Sequence, residues 1–493
     1  MLVGGGGLRG CHLSAGLQAR YLLHRQDNAQ RGALAHYARA LLAERQGEPA
    51  AAAREYEQAI ARDPLSPGLR VRLAALYLRA EQPDKARETL QQALAIDPEH
   101  ASTRAMLALV FTSRGELSPA IEQYRRILAA DPEHRESLVA LADLYVLSGR
   151  LDDAARIYER LVALEPDSAV HQFNAGILAS RLQRFDEAVK HLEEVVKLSP
   201  HSVEAHLALG LIYEMQGHPD LAIARFQTAS DIDPLNPRIY HQLGRIYAQT
   251  GRVDEAVRQY QLILELDRKD TTAVLALAQL YLAQKHFDEA DRLLRGAVAS
   301  MGDQPELWIA LGLVAQERGR RDEAIAVFQQ AVEQQPQQAT LRFYLGASLE
   351  QAGRRADARA ALHEAITLNS QLAEALNYLG YMNAEDGVDL EASVQLIQRA
   401  VAVEPTNGAF VDSLGWAYFK LGRLPEAVQT LEQAAQLEPD PVIFDHLGEA
   451  YAAQRRVDDA RKAWQHSLEL DPKHTVVRDK LEHLPHALSS PAH

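Results

Sequence analysis

The apolar positions of this chain fall into columns that repeat every 34 residues. One column holds only small residues: Ala52, Ala86, Ala120, Ala154, Ala188, Ala222, Ala256, Ala290, Ala324 and Ala358, then Ser393, Ala427 and Ala460. Four places further on stands a bulky column, with Tyr56, Leu90, Tyr124, Tyr158, Leu192, Phe226, Tyr260, Leu294, Phe328, Leu362, Ile397, Leu431 and Trp464. A second small column runs Ala74, Ala108, Ala142, Gly176, Gly210, Gly244, Ala278, Gly312, Gly346, Gly380, Gly415 and Gly448. A turn column between the two small ones contains Gly47, Gly115, Gly149, Gly217, Gly251, Gly319, Gly353, Gly387 and Gly422. Each period therefore predicts two helices that meet at a left-handed turn residue and approach closely through the small columns, with the bulky column filling the space between them.

The prolines close each period. Pro64, Pro98, Pro132, Pro166, Pro200 and Pro234 are 34 residues apart, and Pro336 lies on the same grid, while Arg268 and Gly302 take the two intervening places. Pro405, Pro439 and Pro472 continue the series with small shifts. Proline lacks an amide hydrogen and fixes φ, so it ends one helix and suits the first turn of the next. Two register changes are visible: Gly380 to Gly415 spans 35 residues and Gly415 to Gly448 spans 33. Both fall at turns, where the helix pairing is untouched. The Met301-Gly302-Asp303 junction and the Lys285 turn depart from the pattern and predict looser segments.

Composition agrees with helix: Ala, Leu, Glu, Gln and Arg dominate, and aromatic residues make up 6%. At 47% hydrophobic the chain can bury a core, so disorder is not expected. The net charge of −15 repels phosphate backbones and excludes general nucleic-acid binding. Basic residues such as Arg54, Arg62, Arg70 and Arg72 are interleaved with acids, as on a solvated helix surface. No apolar stretch approaches the length of a membrane span.

The columns resemble the tetratricopeptide repeat, whose 34-residue pattern runs Leu-Gly, Tyr, Ala, Phe and Pro. The seventh unit carries it as Tyr240, Leu243, Gly244, Tyr247, Gly251, Ala256 and Tyr260. The resemblance implies an all-α fold, a right-handed superhelical solenoid of about thirteen helix-turn-helix units. The units are expected at 33–66, 67–100, 101–134, 135–168, 169–202, 203–236, 237–270, 271–304, 305–338, 339–372, 373–407, 408–440 and 441–474. An N-terminal segment, 1–32, precedes them, with a helix expected from Leu17 to Gln30; residues 475–493 form a capping helix and tail.

In such arrays the first helix of each pair lines a concave groove, so the resemblance implies a scaffold that binds a peptide or protein partner there. The inward positions of the late repeats stand out: Phe343, Tyr344, Asn377, Tyr378, Tyr381, Asp412, Trp416, Phe419, Lys420, Asp445, His446 and Glu449. Rings interleaved with hydrogen-bonding groups suit recognition, because rings bring contact area at small entropic cost. Filling the space between neighbouring first helices is the competing role, above all for Tyr344 and Tyr378. Two ligand-binding patterns known in the family do not match. The residues of the carboxylate clamp are replaced by Leu, Ala, Val and Gln, and an asparagine ladder retains only Asn174 among Ala140, Ala208 and Gln242.

No Walker loop, GxGxxG, GxSxG or HExxH occurs, so neither catalysis nor a cofactor is expected. The nineteen histidines are scattered and predict no metal site; Asp412 and Asp445 read as polar groove residues rather than an acid/base pair.

The single cysteine, Cys11, ends Leu8-Arg9-Gly10-Cys11, which resembles the bacterial lipoprotein box and makes Cys11 a candidate for lipid attachment. Arg9 departs from that pattern, and residues 1–8 are shorter than a signal segment, so this reading requires coding sequence upstream of Met1. His12 after the cysteine then favours the outer membrane. The phrases Asn377-Tyr378-Leu379-Gly380-Tyr381 and Asp412-Ser413-Leu414-Gly415-Trp416 resemble bacterial envelope repeat proteins. A scaffold at the cell envelope, in the periplasm or at the outer membrane, is the leading expectation. A cytoplasmic adaptor and an accessory factor in polysaccharide or glycoprotein assembly are the alternatives.

Overall fold

A computed structural model describes residues 30–484 of the chain. Cys11 and its motif, most of the Leu17–Gln30 segment and the tail 485–493 lie outside the described residues. Every regular element among the described residues is an α-helix, and there are 27 of them. They fall into two compact units, Met1–Ile239 and Tyr240–His493.

The first unit is built of six helix pairs: 30–45 (α1) with Pro49–Arg62 (α2), Pro67–Arg79 (α3) with Pro83–Ile96 (α4), and Ala101–Ser113 (α5) with Leu117–Ala130 (α6). Arg135–Leu147 (α7) with Leu151–Leu164 (α8), Ala169–Arg181 (α9) with Phe185–Leu198 (α10), and Val203–Met215 (α11) with Pro219–Ile232 (α12) complete it. The boundary falls in the first turn of Pro237–Gln249 (α13), which pairs with Val253–Leu266 (α14). The second unit continues with Thr271–Ala283 (α15), Phe287–Met301 (α16), Pro305–Glu317 (α17), Arg321–Gln334 (α18), Ala339–Gln351 (α19) and Arg355–Leu368 (α20). Ala373–Asp386 (α21), Leu390–Val403 (α22), Gly408–Lys420 (α23), Leu424–Leu437 (α24), Pro441–Ala453 (α25), Val457–Leu470 (α26) and Thr475–Glu482 (α27) complete the second.

Within each unit paired helices pack most closely, and each second helix packs next on the first helix that follows it. The columns explain why. All thirteen small residues from Ala52 to Ala460, Ser393 included, are fully buried, and no member of the bulky column is more than 7% exposed. Burial of one such bulky side chain contributes about 1.5–3 kcal/mol, whereas a side-chain helix cap contributes about 1 kcal/mol. The bulky column, repeated thirteen times, therefore decides the stack. Caps from Ser168, Ser202, Asp270 and Asn407 set where helices begin. At Gly312 the approach is so close that a Cβ would lie 2.1 Å from Phe328 Cζ.

The turn between paired helices uses the left-handed region, with φ between +65° at Gly387 and +82° at Gly422 among its glycines. Glu81, Gln183, Lys285 and Arg455 adopt the same conformation at φ of 56° to 63° without being glycine. That conformation costs an ordinary residue about 1–2 kcal/mol, part of which glycine returns through unfolded-state entropy. Gln183→Gly is therefore expected to stabilise the α9–α10 pair by up to about 1 kcal/mol. Slower amide exchange in those two helices checks it.

The segments predicted to be loose are tied down. Lys285 keeps the ordinary turn, its amide donating to Leu282 O at 2.9 Å. At the 301–303 junction α16 extends to Met301, which is 5% exposed, and the Gly302 carbonyl accepts from Trp308 Nε1 at 2.9 Å and Gln335 Nε2 at 2.7 Å. The extra residue near Gly387 lengthens α21 by one, and Asp389 at φ 43° caps α22 through the Ala392 amide. Helix α27 buries Val477 completely, and Leu481 packs with it on Trp464.

Candidate partner-binding site

The late first helices converge on a cavity of about 500 Å³ in the second unit. Helical spacing puts Asn377, Tyr381 and Glu385 on one stripe of α21, since residues four apart share a face. Asp412 and Ser413 of α23 and Val442 and His446 of α25 form the opposite wall. Glu350 from α19 and Arg355 from α20 close one end.

Most polar groups of the wall are bonded to one another. His446 Nδ1 lies 3.0 and 2.9 Å from the two Asp412 carboxylate oxygens, and both residues are buried. Tyr378 donates to Glu350 at 3.2 Å, Arg355 spans Glu350 and Asp386 at 3.2 and 2.9 Å, and Arg359 also pairs with Asp386. Behind the wall Trp416 is sandwiched, its indole stacked on His446 at 4.1 Å and on Phe419 at 4.8 Å. Its Nε1 donates to Glu385, which Lys420 also approaches at 3.4 Å. Lys420 lies 5.0 Å above the same indole. The Asn377 Oδ1 is buried and has no hydrogen-bond partner among the described residues. An unpaired buried acceptor costs about 1–3 kcal/mol, so it favours a ligand that brings a donor. Burial pushes the Tyr378 hydroxyl up to about 12, with the Glu350 carboxylate adding to it. Burial, then Glu385 and Asp412, take Tyr381 to about 12 as well. Both hydroxyls stay protonated at neutral pH and serve as donors.

The twelve positions singled out from the sequence thus separate. Asn377, Tyr378, Tyr381, Asp412 and His446 line the cavity, and Trp416, Phe419 and Lys420 buttress it. Phe343 and Tyr344 sit one repeat away in an aromatic run: Tyr344 stacks on Phe328 at 5.7 Å, and Phe343 meets Tyr378 edge-on at 5.9 Å. Asp445 and Glu449 face the end of the array, where Lys480 of α27 bonds both; it lies 2.7 and 2.8 Å from the Asp445 oxygens. The lining residues Glu350, Arg355, Glu385 and Asp386 were not singled out. For Glu385 a signal existed, four places beyond Tyr381 on the same stripe. Arg355 opens a second helix, and nothing in the groove pattern points to it. A cavity of about 590 Å³ in the first unit has a wall dominated by Val170, Phe173, Val195 and Pro200. Its polar lining is smaller, with Ser199, His201, Ser202 and Glu204, so the second-unit cavity is the stronger candidate.

Models of the tetratricopeptide repeat match residues 43–110, 111–177, 173–237, 215–274, 251–316, 309–373, 345–410, 383–442 and 442–474. The chain belongs to the tetratricopeptide repeat family. TPR repeat-containing protein PA4667 of Pseudomonas aeruginosa is 40% identical over 55 residues, 11% of this chain and 9% of that protein's length. Among solved structures, Naa15/Naa10 bound to HypK-THB is 16% identical over 90% of this chain and 68% of that one, at a TM-score of 0.46. Yeast Tom70 is 16% identical over 92% and 99%, at 0.43. MamA is 27% identical over 36% and 96%, at 0.33. Its tetratricopeptide repeats support a protein–protein interaction scaffold. No helix among its described residues is long and apolar enough to cross a membrane.

Proposed function

We propose that this protein is a non-enzymatic scaffold of the bacterial cell envelope that anchors an extended peptide segment of its partner in the cavity between α21, α23 and α25. The observation that carries this reading is the convergence of three successive first helices on one concavity, with the Asn377 acceptor left unpaired in its wall. Tyr381 supplies a ring and a donor, Asn377 supplies the acceptor, and the Asp412–His446 pair and Trp416 hold the wall rigid. Rigid aromatic anchors of this kind lose little entropy on binding. The envelope setting is supported by the Leu8-Arg9-Gly10-Cys11 motif.

A photo-crosslinking amino acid placed at Tyr381 is expected to give a discrete adduct in the host cell, several-fold stronger than the same group at Glu391, which is exposed on the second helix α22. Equal adducts at the two positions would remove the cavity from the binding surface. In the same cells, incorporation of an alkyne-labelled fatty acid that Cys11→Ala abolishes is the expected result for the envelope setting; an unlabelled wild type would favour a cytoplasmic adaptor.

A further inference from the structure

We propose that Glu159, Glu187 and His191 in the first unit form a binding site for a divalent transition-metal ion of the Zn2+ class. The ligand atoms of the three side chains lie within 4.8 Å of one another. Glu187 and His191 stand four residues apart on α10 and share a face, while Glu159 reaches them from α8. A tetrahedral ion with bonds of about 2.0–2.2 Å places its ligand atoms about 3.3 Å apart, a closure that rotation of the exposed Glu159 side chain supplies.

Two further observations separate this cluster from a chance grouping of surface acids. His191 is 8% exposed, and its Nδ1 lies 2.7 Å from Gln172 Oε1 on α9. An amide oxygen only accepts, so Nδ1 carries the hydrogen and Nε2 carries the lone pair. Gln172 is the one hydrogen-bond partner of the ring among the described residues. A second residue that fixes tautomer and ring orientation is what metal-ligating histidines ordinarily have. In addition, the carboxylates of Glu159 and Glu187 are brought close together from two different helices, their ligand oxygens within 4.8 Å of each other. Two carboxylates this close repel each other, which a cation between them relieves. Arg184 shares its guanidinium between two acids, 3.8 Å from Glu187 and 2.6 Å from Asp152. An imidazole among the ligands selects Zn2+, Co2+ or Ni2+ over Mg2+ or Ca2+.

The test is calorimetric titration of the full-length protein with Zn2+, paralleled by the visible spectrum of added Co2+. One tight equivalent is expected. Glu159→Gln and Glu187→Gln, both at positions open to solvent, should each weaken it at least about tenfold, and Gln172→Leu about tenfold through loss of ring orientation. Helix content by circular dichroism confirms that each variant is folded, and His191→Leu is included only if it passes that control. Affinity unchanged in Glu159→Gln and Glu187→Gln would overturn the proposal and place the bound Zn2+ on scattered surface histidines. Absence of a tight equivalent, or Ca2+ bound as tightly as Zn2+, would overturn it too.

Discussion

Ala188→Arg is expected to unfold the α9–α10 pair and to cost more than about 4 kcal/mol, the range reserved for gross core disruption. Ala188 is fully buried, and the helices meet there almost backbone to backbone. A Cβ built on Gly176 of α9 would lie 3.3 Å from the Ala188 carbonyl oxygen and 2.8 Å from Leu192 Cγ. Overpacking alone costs about 1–3 kcal/mol, and a guanidinium without a partner adds several kcal/mol more. Repeats contact mainly their neighbours, so the damage stays local. Circular dichroism should show a partial loss of helix, and amide protection should vanish in α9 to α11 while α21 to α26 keep theirs. Wild-type protection throughout would show that the register of α9 on α10 is not the one described.

The second large effect is expected at the end of the array, where Lys480→Met should release α27. The ammonium group bonds Asp445 and Glu449, whose side chains are 12% and 29% exposed. Removing one partner of a fully buried pair costs about 3–5 kcal/mol because the other charge is stranded. Lys480 itself is 25% exposed, so solvent screening reduces the expected loss to about 2 kcal/mol. Methionine keeps the aliphatic volume, which isolates the charge. Faster exchange at the Val477 and Leu481 amides, with the rest of the second unit unchanged, is the predicted signature.

Lys480 also gives this contact a pH dependence of known sign. Burial alone would lower its pKa, but the bonds to Asp445 and Glu449 outweigh it and the folded-state value lies above the ordinary 10.5. The stabilisation is therefore complete below 10.5 and is lost as pH rises through the higher folded-state value. The gap in melting temperature between wild type and Lys480→Met should be constant from neutrality to about pH 9 and shrink by about pH 11.5. A gap that instead closed on acidification to about pH 6 would mean that Lys480 is not the group responsible.

The fold was legible because each column has one steric job. Ala188 is alanine where two helices touch, and Phe328 is large where Gly312 leaves room. The candidate site was half legible for a related reason. Positions such as Asn377, Tyr381 and Asp412 face inward by helical phase alone, and phase is readable. Pairing is not: Asp445 and Asp412 occupy equivalent places, yet one is held by Lys480 and the other by His446. That difference depends on the element stacked next in the array, which is the end helix α27 for Asp445 and another repeat for Asp412. The Glu159, Glu187 and His191 cluster was missed for the same reason, because its three members belong to two repeats and to the faces of second helices, which the groove pattern does not weigh.

The sandwich around Trp416 makes the protein an optical reporter of its own cavity. The chain has three tryptophans, of which Trp308 is fixed by the Gly302 carbonyl and Trp464 by Asp445. Trp416 alone stacks on a side chain that lines the cavity, and its indole N–H bonds Glu385, another lining residue. A ligand that displaces either one changes the electronic surroundings of a single fluorophore, so occupancy can be followed by emission without attaching a label.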